Sequence, residues 1–148
     1  MGKTAFIGFG EVNTPKEIII KKCAEAAERL EKNGLELIRV FPVTDDYEET
    51  DIRSAVSVLE AGRFDSIVIC IAGWIPSHAV IKITEHFRHI PMVLWGLCGW
   101  TEDGGRLVTT ADQAGTSALR AVFDRLGYNF TYVYDIIGLP SGADRVVD

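Results

Sequence analysis

Short apolar runs alternate with segments of helical periodicity along the chain, and this alternation restricts the fold more than any other feature. Five runs have the length and composition of buried strands: Thr4–Phe9, Leu35–Phe41, Ser66–Ile71, Met92–Trp95 and Phe130–Tyr134. The third run, SIVICI, is apolar at nearly every position, which is typical of a central strand covered on both faces. A single helical segment between successive strands predicts parallel strands joined by crossover connections.

The helical segments complete the predicted architecture. At the start of the first helix we predict a capping box, with Thr14 as N-cap, Pro15 as the first helical residue and Glu17 as the third. A later helix is predicted from about Ser77 to His89. The predicted fold class is α/β: a three-layer α/β/α doubly wound sandwich whose five-stranded parallel sheet has the flavodoxin-like order 2-1-3-4-5.

Length and charge narrow the class of protein. The 148 residues suit one domain, which we place at residues 1–140, and in 141–148 we expect the truncated start of a following helix or domain, with Ser141 as N-cap. The formal net charge of −6 argues against a nucleic-acid partner and against adsorption to an anionic membrane. No apolar run reaches the length of a membrane span. The three cysteines lack metal-type spacing, which favours reduced thiols in a cytoplasmic protein.

Candidate binding residues follow the first and third strands. In an open parallel sheet, ligands bind beyond the carboxyl ends of the strands, where the strand order reverses. The residues expected there are Glu11, Asn13, Trp74, Ser77 and His78. Trp74 is the unusual member, because small residues commonly occupy such a strand-to-helix turn. Two interpretations stay open for it: an aromatic face offered to a ligand, or a plug packed under a loop or in a subunit contact. For His78 the alternatives are a ligand contact and simple packing against its own loop.

The segment after the fourth strand is unusually long. It runs from Gly96 to Gln113, and loops longer than about 12–15 residues without structure of their own are commonly functional or flexible. The pair Gly104–Gly105 predicts a hairpin turn within it. Trp100 lies in this segment and joins the candidate binding residues, although a hairpin would explain the segment without any ligand.

A nucleotide site finds only weak support in the sequence. The segment GFGEVN, Gly8–Asn13, resembles the start of a dinucleotide-binding fingerprint, but Asn13 takes the place of the third glycine. Glu11 would also repel a phosphate group. The third strand lacks the terminal aspartate of a receiver domain, and no P-loop pattern occurs. A nucleotide-dependent enzyme is therefore the weakest of the functions considered.

Catalytic and metal-binding sets are equally hard to assemble. His86 and His89 fall near the end of a predicted helix, where a cation suits the helix dipole, so we expect a solvated face there rather than a metal site. No Ser/His/Asp or Cys/His nucleophile set can be built at the carboxyl edge. Cys70 and Cys98 are interpreted as small apolar side chains.

Several motifs occur in an order that resembles the N-terminal domain of the L-fucose/L-arabinose isomerase-like superfamily. They are the opening strand with NTPKEI, the third-strand end CIAGW, the strand PMVLWGL and the block DQAGTSALRAVFDRLGYNFTYVY. The resemblance covers nearly the whole chain and depends on the order and spacing of the motifs more than on any one of them. Family members often carry a basic residue near the end of the first strand, where this chain has Glu11 and Asn13.

The resemblance implies an aldose–ketose isomerase that moves a proton between C1 and C2 through an enediol, with a divalent metal that is usually Mn²⁺. The metal ligands and the catalytic acid–base pair of such enzymes lie in later domains. We therefore expect no catalytic residue, metal ligand or cofactor in this segment, and no activity from it alone.

The N-terminal domain of such enzymes helps to build a homo-oligomer and can present strand-end residues to the active site of a neighbouring subunit. Trp74 would then offer its ring to the C–H side of a sugar, with Asn13 as a hydroxyl partner. The alternative is a stand-alone module that uses the same edge to bind a small molecule or to regulate.

Overall fold

The computed structural model describes residues 2–109, 111–136 and 140–148, and these ranges contain the predicted doubly wound sandwich. Within them, five parallel strands form the central sheet: β1 (Thr4–Phe9), β2 (Leu37–Val43), β3 (Ser66–Ile71), β4 (Met92–Leu97) and β7 (Phe130–Asp135). Their order is β2-β1-β3-β4-β7, which confirms the predicted flavodoxin-like order. Two short strands, β5 (Trp100–Thr101) and β6 (Leu107–Val108), form a separate antiparallel hairpin.

Helices flank the sheet on both sides. Those in the described ranges are α1 (Lys16–Lys32), α2 (Thr50–Ala61), α3 (Ser77–Thr84), α4 (Asp112–Leu126) and α5 (Ala143–Val147). None of these helices combines the length and the apolar character needed to cross a membrane.

Each face of the sheet has its own apolar core. Helices α2, α3 and α4 cover one face, called here the three-helix face, and α1 and α5 cover the other, the two-helix face. Alternate strand residues point to opposite faces. In β3, for example, Ile69 packs on the three-helix face while Val68 packs on the two-helix face. The predicted burial of β3 on both faces is confirmed.

The predicted capping box at the start of α1 is wrong. The helix begins at Lys16, and its first turn has no side-chain cap. Thr14 is buried instead, and its hydroxyl has no hydrogen-bond partner among the described residues. The reason is tertiary packing, because a Cβ atom built on Gly73 would lie only 3.1 Å from Thr14 Oγ1. The end of β3 therefore presses on the side chain that would otherwise cap the helix.

Three strands extend beyond their predicted ends, β7 by only one residue, Asp135. β2 lies two residues later than predicted, at Leu37–Val43. β4 continues to Leu97, because Gly96 and Leu97 pair with the end of β7. This extension brings the start of the long segment to the carboxyl edge of the sheet.

Two predictions about helix ends also need correction. α3 ends at Thr84 rather than at His89, and Glu85–Phe87 continue it as a single 3-10 turn. Ser141 does not cap α5, since its hydroxyl donates to Asp135 Oδ1 at 2.6 Å. The short helix α5 packs on the two-helix face through buried apolar side chains.

Candidate functional site

Backbone hydrogen bonds join the loops that follow β1 and β3, where the strand order reverses. The N–H groups of Ala72 and Gly73 donate to the carbonyl of Phe9 at 2.9 and 3.2 Å. The N–H of Glu11 donates to the carbonyl of Trp74 at 2.7 Å. The two loops therefore form one unit, and they need small residues before the tryptophan because the loops approach so closely.

Trp74 is packed on one side and open on part of its surface. Overall its side chain is half-buried. It rests against the first turns of α4, where a Cβ atom on Gly115 would lie 3.1 Å from Trp74 Cδ1. The missing side chain at Gly115 therefore makes room for the indole ring. A fixed, partly exposed aromatic side chain at the switch point of a doubly wound sheet is a suitable surface for a ligand.

The other predicted residues occupy the same edge with different exposure. Asn13 and His78 are exposed, and Glu11 and Ser77 are half-buried. Ser77 and His78 form the start of α3, close in sequence to the tryptophan turn. Backbone hydrogen bonds join the loops of Glu11 and Trp74 directly. Asn13 lies in the first of these loops, and Ser77 and His78 follow the second.

Trp100 lies on the hairpin predicted for the long segment. It is half-buried on β5 and pairs with Val108 of β6. The turn residues Gly104 and Gly105 have φ values of 86° and 80°, a backbone conformation that favours glycine. The predicted hairpin is confirmed.

The loop after β1 has little capacity to bind a phosphate. Most of its N–H groups are already used: Val12 donates to Asp45 Oδ1 at 2.9 Å, and Thr14 donates to the carbonyl of Glu11 at 3.0 Å. The N–H of Glu11 itself bonds to the carbonyl of Trp74. Glu11 of this loop and Asp45 of the loop after β2 therefore place carboxylates where a dinucleotide site would need open amides. The nucleotide alternative loses support from this arrangement.

A buried lysine beneath the edge was not predicted. Lys22 of α1 is 4% exposed, and its Nζ donates to the carbonyls of Ala72 at 2.5 Å and Leu97 at 2.7 Å. Burial lowers the pKa of Lys22, and the negative charge of Asp112 opposes that shift. The sequence did contain a signal, because Lys22 is three residues after buried Ile19 and so falls on the buried stripe of the helix.

Asp112, at the start of α4, ties the long segment to the rest of the edge. It is 1% exposed, and its Oδ2 accepts a hydrogen bond from the N–H of Gly99 at 2.6 Å. Ala111, just before it, has a φ of 54°, a left-handed conformation that is costly for a residue with a side chain. The base of the hairpin is therefore fixed to α4 by a buried carboxylate next to a strained residue.

A second buried carboxylate ends β7. Asp135 accepts hydrogen bonds from Trp95 Nε1 at 2.6 Å, from the Ser141 hydroxyl at 2.6 Å and from the N–H of Gly142 at 3.1 Å. These bonds attach the chain before α5 to the core. Next to it, burial raises the pKa of Tyr134 to about 12, and a hydrogen bond with the Cys98 thiol adds to the shift.

The described residues provide no metal ligand set. Across residues 2–109, 111–136 and 140–148, no three His, Cys, Asp or Glu side chains are grouped so that they could hold a metal ion. His86 is exposed, and its Nδ1 lies 3.8 Å from a carboxylate oxygen of Glu60. The Mn²⁺ that the resemblance implies therefore has no set of ligands in this part of the chain.

A scan against protein-family models finds no match, and a search of curated proteins finds none either. The carboxyl edge itself therefore carries the functional interpretation.

Proposed function

We propose that this chain is the N-terminal domain of an aldose–ketose isomerase-like protein. Its carboxyl edge would contribute an aromatic surface around Trp74, called here the lip, to a sugar-binding site. Subunits of a homo-oligomer would share that site. The observation that supports this most is the position of Trp74, which lies at the switch point with its ring against Gly115 and its backbone bonded to Glu11. The resemblance of the motifs supplies the reaction class.

The chemistry of the lip suits a neutral sugar. An indole ring can cover the apolar C–H side of a pyranose or furanose, while neighbouring polar groups bond its hydroxyls. Asn13, His78, Ser77 and Glu11 supply such groups on the adjacent loops. Trp100 on the hairpin would extend the aromatic surface of the same lip. Glu11 disfavours an anionic ligand at this position.

The domain is proposed to be inactive alone. Its contribution is to bind and orient the sugar and to keep water from one side of it, while Mn²⁺ and its ligands belong to other parts of the parent protein. All three cysteines are free thiols, which supports a cytoplasmic location as part of this proposal.

A stand-alone module that binds a small molecule is the second candidate. The buried hydrogen bonds of Lys22 and Asp112 favour it, because they hold the loops of the carboxyl edge in place without contacts from another subunit. The two candidates differ in which species binds the ligand. A shared site requires an oligomer, whereas a stand-alone module binds as a monomer.

Saturation-transfer NMR tests the proposal with L-fucose and L-arabinose as probes. We expect saturation to reach the sugar C–H protons, with millimolar affinity, in samples whose oligomeric state is measured by sedimentation velocity. Trp74→Ala should abolish the transfer, and His86→Ala, a change on an exposed remote residue, should leave it unchanged. With Mn²⁺ added, the chain should not isomerise either sugar.

Two results would contradict the proposal. Isomerase turnover by this chain alone would show that it carries a complete active site. Equal transfer in wild type and in Trp74→Ala would show that the sugar binds away from the lip. Binding by a pure monomer would favour the stand-alone module instead.

A further inference from the structure

One buried ammonium lies beneath both of the loops that carry tryptophan at the carboxyl edge. Lys22 binds the carbonyl of Ala72, two residues before Trp74, and the carbonyl of Leu97, three residues before Trp100. These carbonyls belong to the ends of β3 and β4, which are adjacent strands. A single side chain therefore connects the two points from which the aromatic loops leave the sheet.

The surroundings of Lys22 indicate a role beyond packing. A lysine that is 4% exposed is costly to desolvate, and an apolar residue would fit the stripe formed by Ile19, Cys23 and Ala26. The groups that act on its charge are Asp112 of α4, Cys70 of β3, Cys23 of α1 and Cys98 after β4. Asp112 is the only carboxylate among them, and it also holds the N–H of Gly99.

We propose that Lys22 is a positioning residue for the lip, because its two hydrogen bonds fix the loops of Trp74 and Trp100 relative to each other. Lys22 does not touch the ligand, and it acts through the backbone of the two loops. The effect on ligand binding rests on the proposed function. The positioning of the two indole rings does not, and can be measured without a ligand.

The electrostatic interaction between Lys22 and Asp112 offers a way to separate the effect of Lys22 on loop position from its effect on stability. Lys22→Met keeps most of the length of the side chain but removes the positive charge that interacts with Asp112, so the free energy of unfolding should fall. The double variant Lys22→Met/Asp112→Asn removes both charges and keeps an oxygen that can accept from Gly99 N–H. Its stability should return toward the wild-type value, while the carbonyls of Ala72 and Leu97 still lack the ammonium.

Fluorine NMR of protein labelled with 5-fluorotryptophan reports the position of the rings. The chain has three tryptophans, and Trp→Phe changes assign their signals. Relative to Asp112→Asn alone, we expect the signals of Trp74 and Trp100 to shift or broaden in the double variant. The signal of Trp95 should stay, because that residue is fully buried and bonded to Asp135. Lys21→Met, a change to the exposed neighbouring lysine, is the matched control and should alter none of them.

Sugar binding gives the second readout. In the double variant the affinity for L-fucose or L-arabinose should fall about fivefold to tenfold, although the protein is folded and its stability is restored. Wild-type signals for Trp74 and Trp100 in the double variant would overturn the proposal, because Lys22 would then serve only to neutralise Asp112. If Lys22→Met alone does not fold, the double variant still decides between these results. Moved indole signals in a protein whose wild type binds no sugar would uphold the positioning role and count against the proposed function.

Discussion

The two faces of the sheet share the same strands but are held together by different chemistry. The three-helix face is built mainly from aliphatic and aromatic side chains, and its buried hydroxyls Thr84 and Tyr128 bond to each other at 3.2 Å. The two-helix face buries two charged side chains, Lys22 and Asp135, and both bind groups at the carboxyl ends of strands or just beyond them. Away from the carboxyl edge, one face is closed mainly by packing and the other by packing with buried charged groups, while Asp112, at the start of α4, lies at the edge itself.

This difference separates the interactions that stabilise the fold from those that fix the geometry of the carboxyl edge. Apolar contacts are not directional and stabilise a face as a whole, whereas a buried charge holds particular groups at fixed distances. The buried charged groups occur where loops leave the sheet, so they set the geometry of the edge more than the stability of the core. Changes in the apolar core of the three-helix face, away from the carboxyl edge, should therefore alter stability alone, and changes to the buried charged groups should also alter the edge.

The largest expected effect comes from the three-helix face. Phe123 is fully buried, and the centroid of its ring lies 4.8 Å from the ring centroid of Tyr128 and 5.3 Å from that of Phe130. Phe123→Ala should lower the free energy of unfolding by about 3–5 kcal/mol, because it removes this packing and leaves a cavity. Denaturant unfolding measures the loss, and Phe123→Leu is the milder control. The indole signals of the folded protein should not move, and their displacement would contradict the separation of roles.

Loss of the buried hydrogen bonds of Asp135 should have the next largest effect on the free energy of unfolding. Asp135→Ala removes the acceptor of Trp95 Nε1, of the Ser141 hydroxyl and of the Gly142 N–H, so we expect a loss of about 2–4 kcal/mol. Hydrogen exchange should also speed up in α5 before it does so elsewhere. Asp135→Asn keeps one carbonyl oxygen and should lose less. Equal protection of α5 in wild type and Asp135→Ala would show that apolar contacts alone hold the helix.

Alkaline pH should reveal a smaller contribution on the same side of the edge. Burial raises the pKa of Tyr134 from its ordinary 10.0 to about 12, so the folded protein keeps a proton that the unfolded chain loses. This stability is present below pH 10 and is lost as the pH rises toward 12. At pH 11 the part of this stability that has been lost is about 1 kcal/mol.

Unfolding experiments at pH 8 and pH 11 measure that contribution. Tyr134→Phe should lose less stability between these pH values than wild type does. Tyr47→Phe, at a tyrosine that is 96% exposed, is the matched control and should behave like wild type. An identical pH dependence for Tyr134→Phe and wild type would contradict the prediction.

The smallest expected effect is a gain in stability. Ala111 has a φ of 54°, and a left-handed conformation costs a residue with a Cβ atom about 1 kcal/mol. Ala111→Gly relieves that strain but makes the unfolded chain more flexible, so a net gain of about 0.5 kcal/mol is expected. The melting temperature reports it. A clear loss of stability would mean that the methyl group of Ala111 makes a contact worth more than the strain.

Local sequence patterns were sufficient to predict the fold but not the buried polar contacts of Lys22, Asp112 and Asp135. The five parallel strands follow from alternation, their order matches the flavodoxin-like order expected for five strands, and the hairpin follows from Gly104–Gly105. The capping box at Thr14 failed because Gly73, far away in sequence, presses against that side chain. Tertiary contact of this kind overrides a local signal.

The candidate site was predicted only in part for the same reason. Its residues could be placed at the carboxyl edge because parallel strands share that edge. The partners of Lys22 are 50 and 75 residues away, so no local pattern could pair them. The helical spacing from Ile19 did place Lys22 on the buried side of α1. A charged residue on an apolar stripe is the signal that would have identified it.

The central claim is that a sugar binds at the aromatic lip, and the indole N–H signals of the three tryptophans test it most directly. In a titration of the ¹⁵N-labelled chain with L-fucose or L-arabinose, we expect the Trp74 signal to move with increasing sugar. The signal of Trp95, buried and bonded to Asp135, should stay in place. A Trp74 signal that stays fixed while the sugar perturbs residues at the opposite, amino edge of the sheet would contradict the claim.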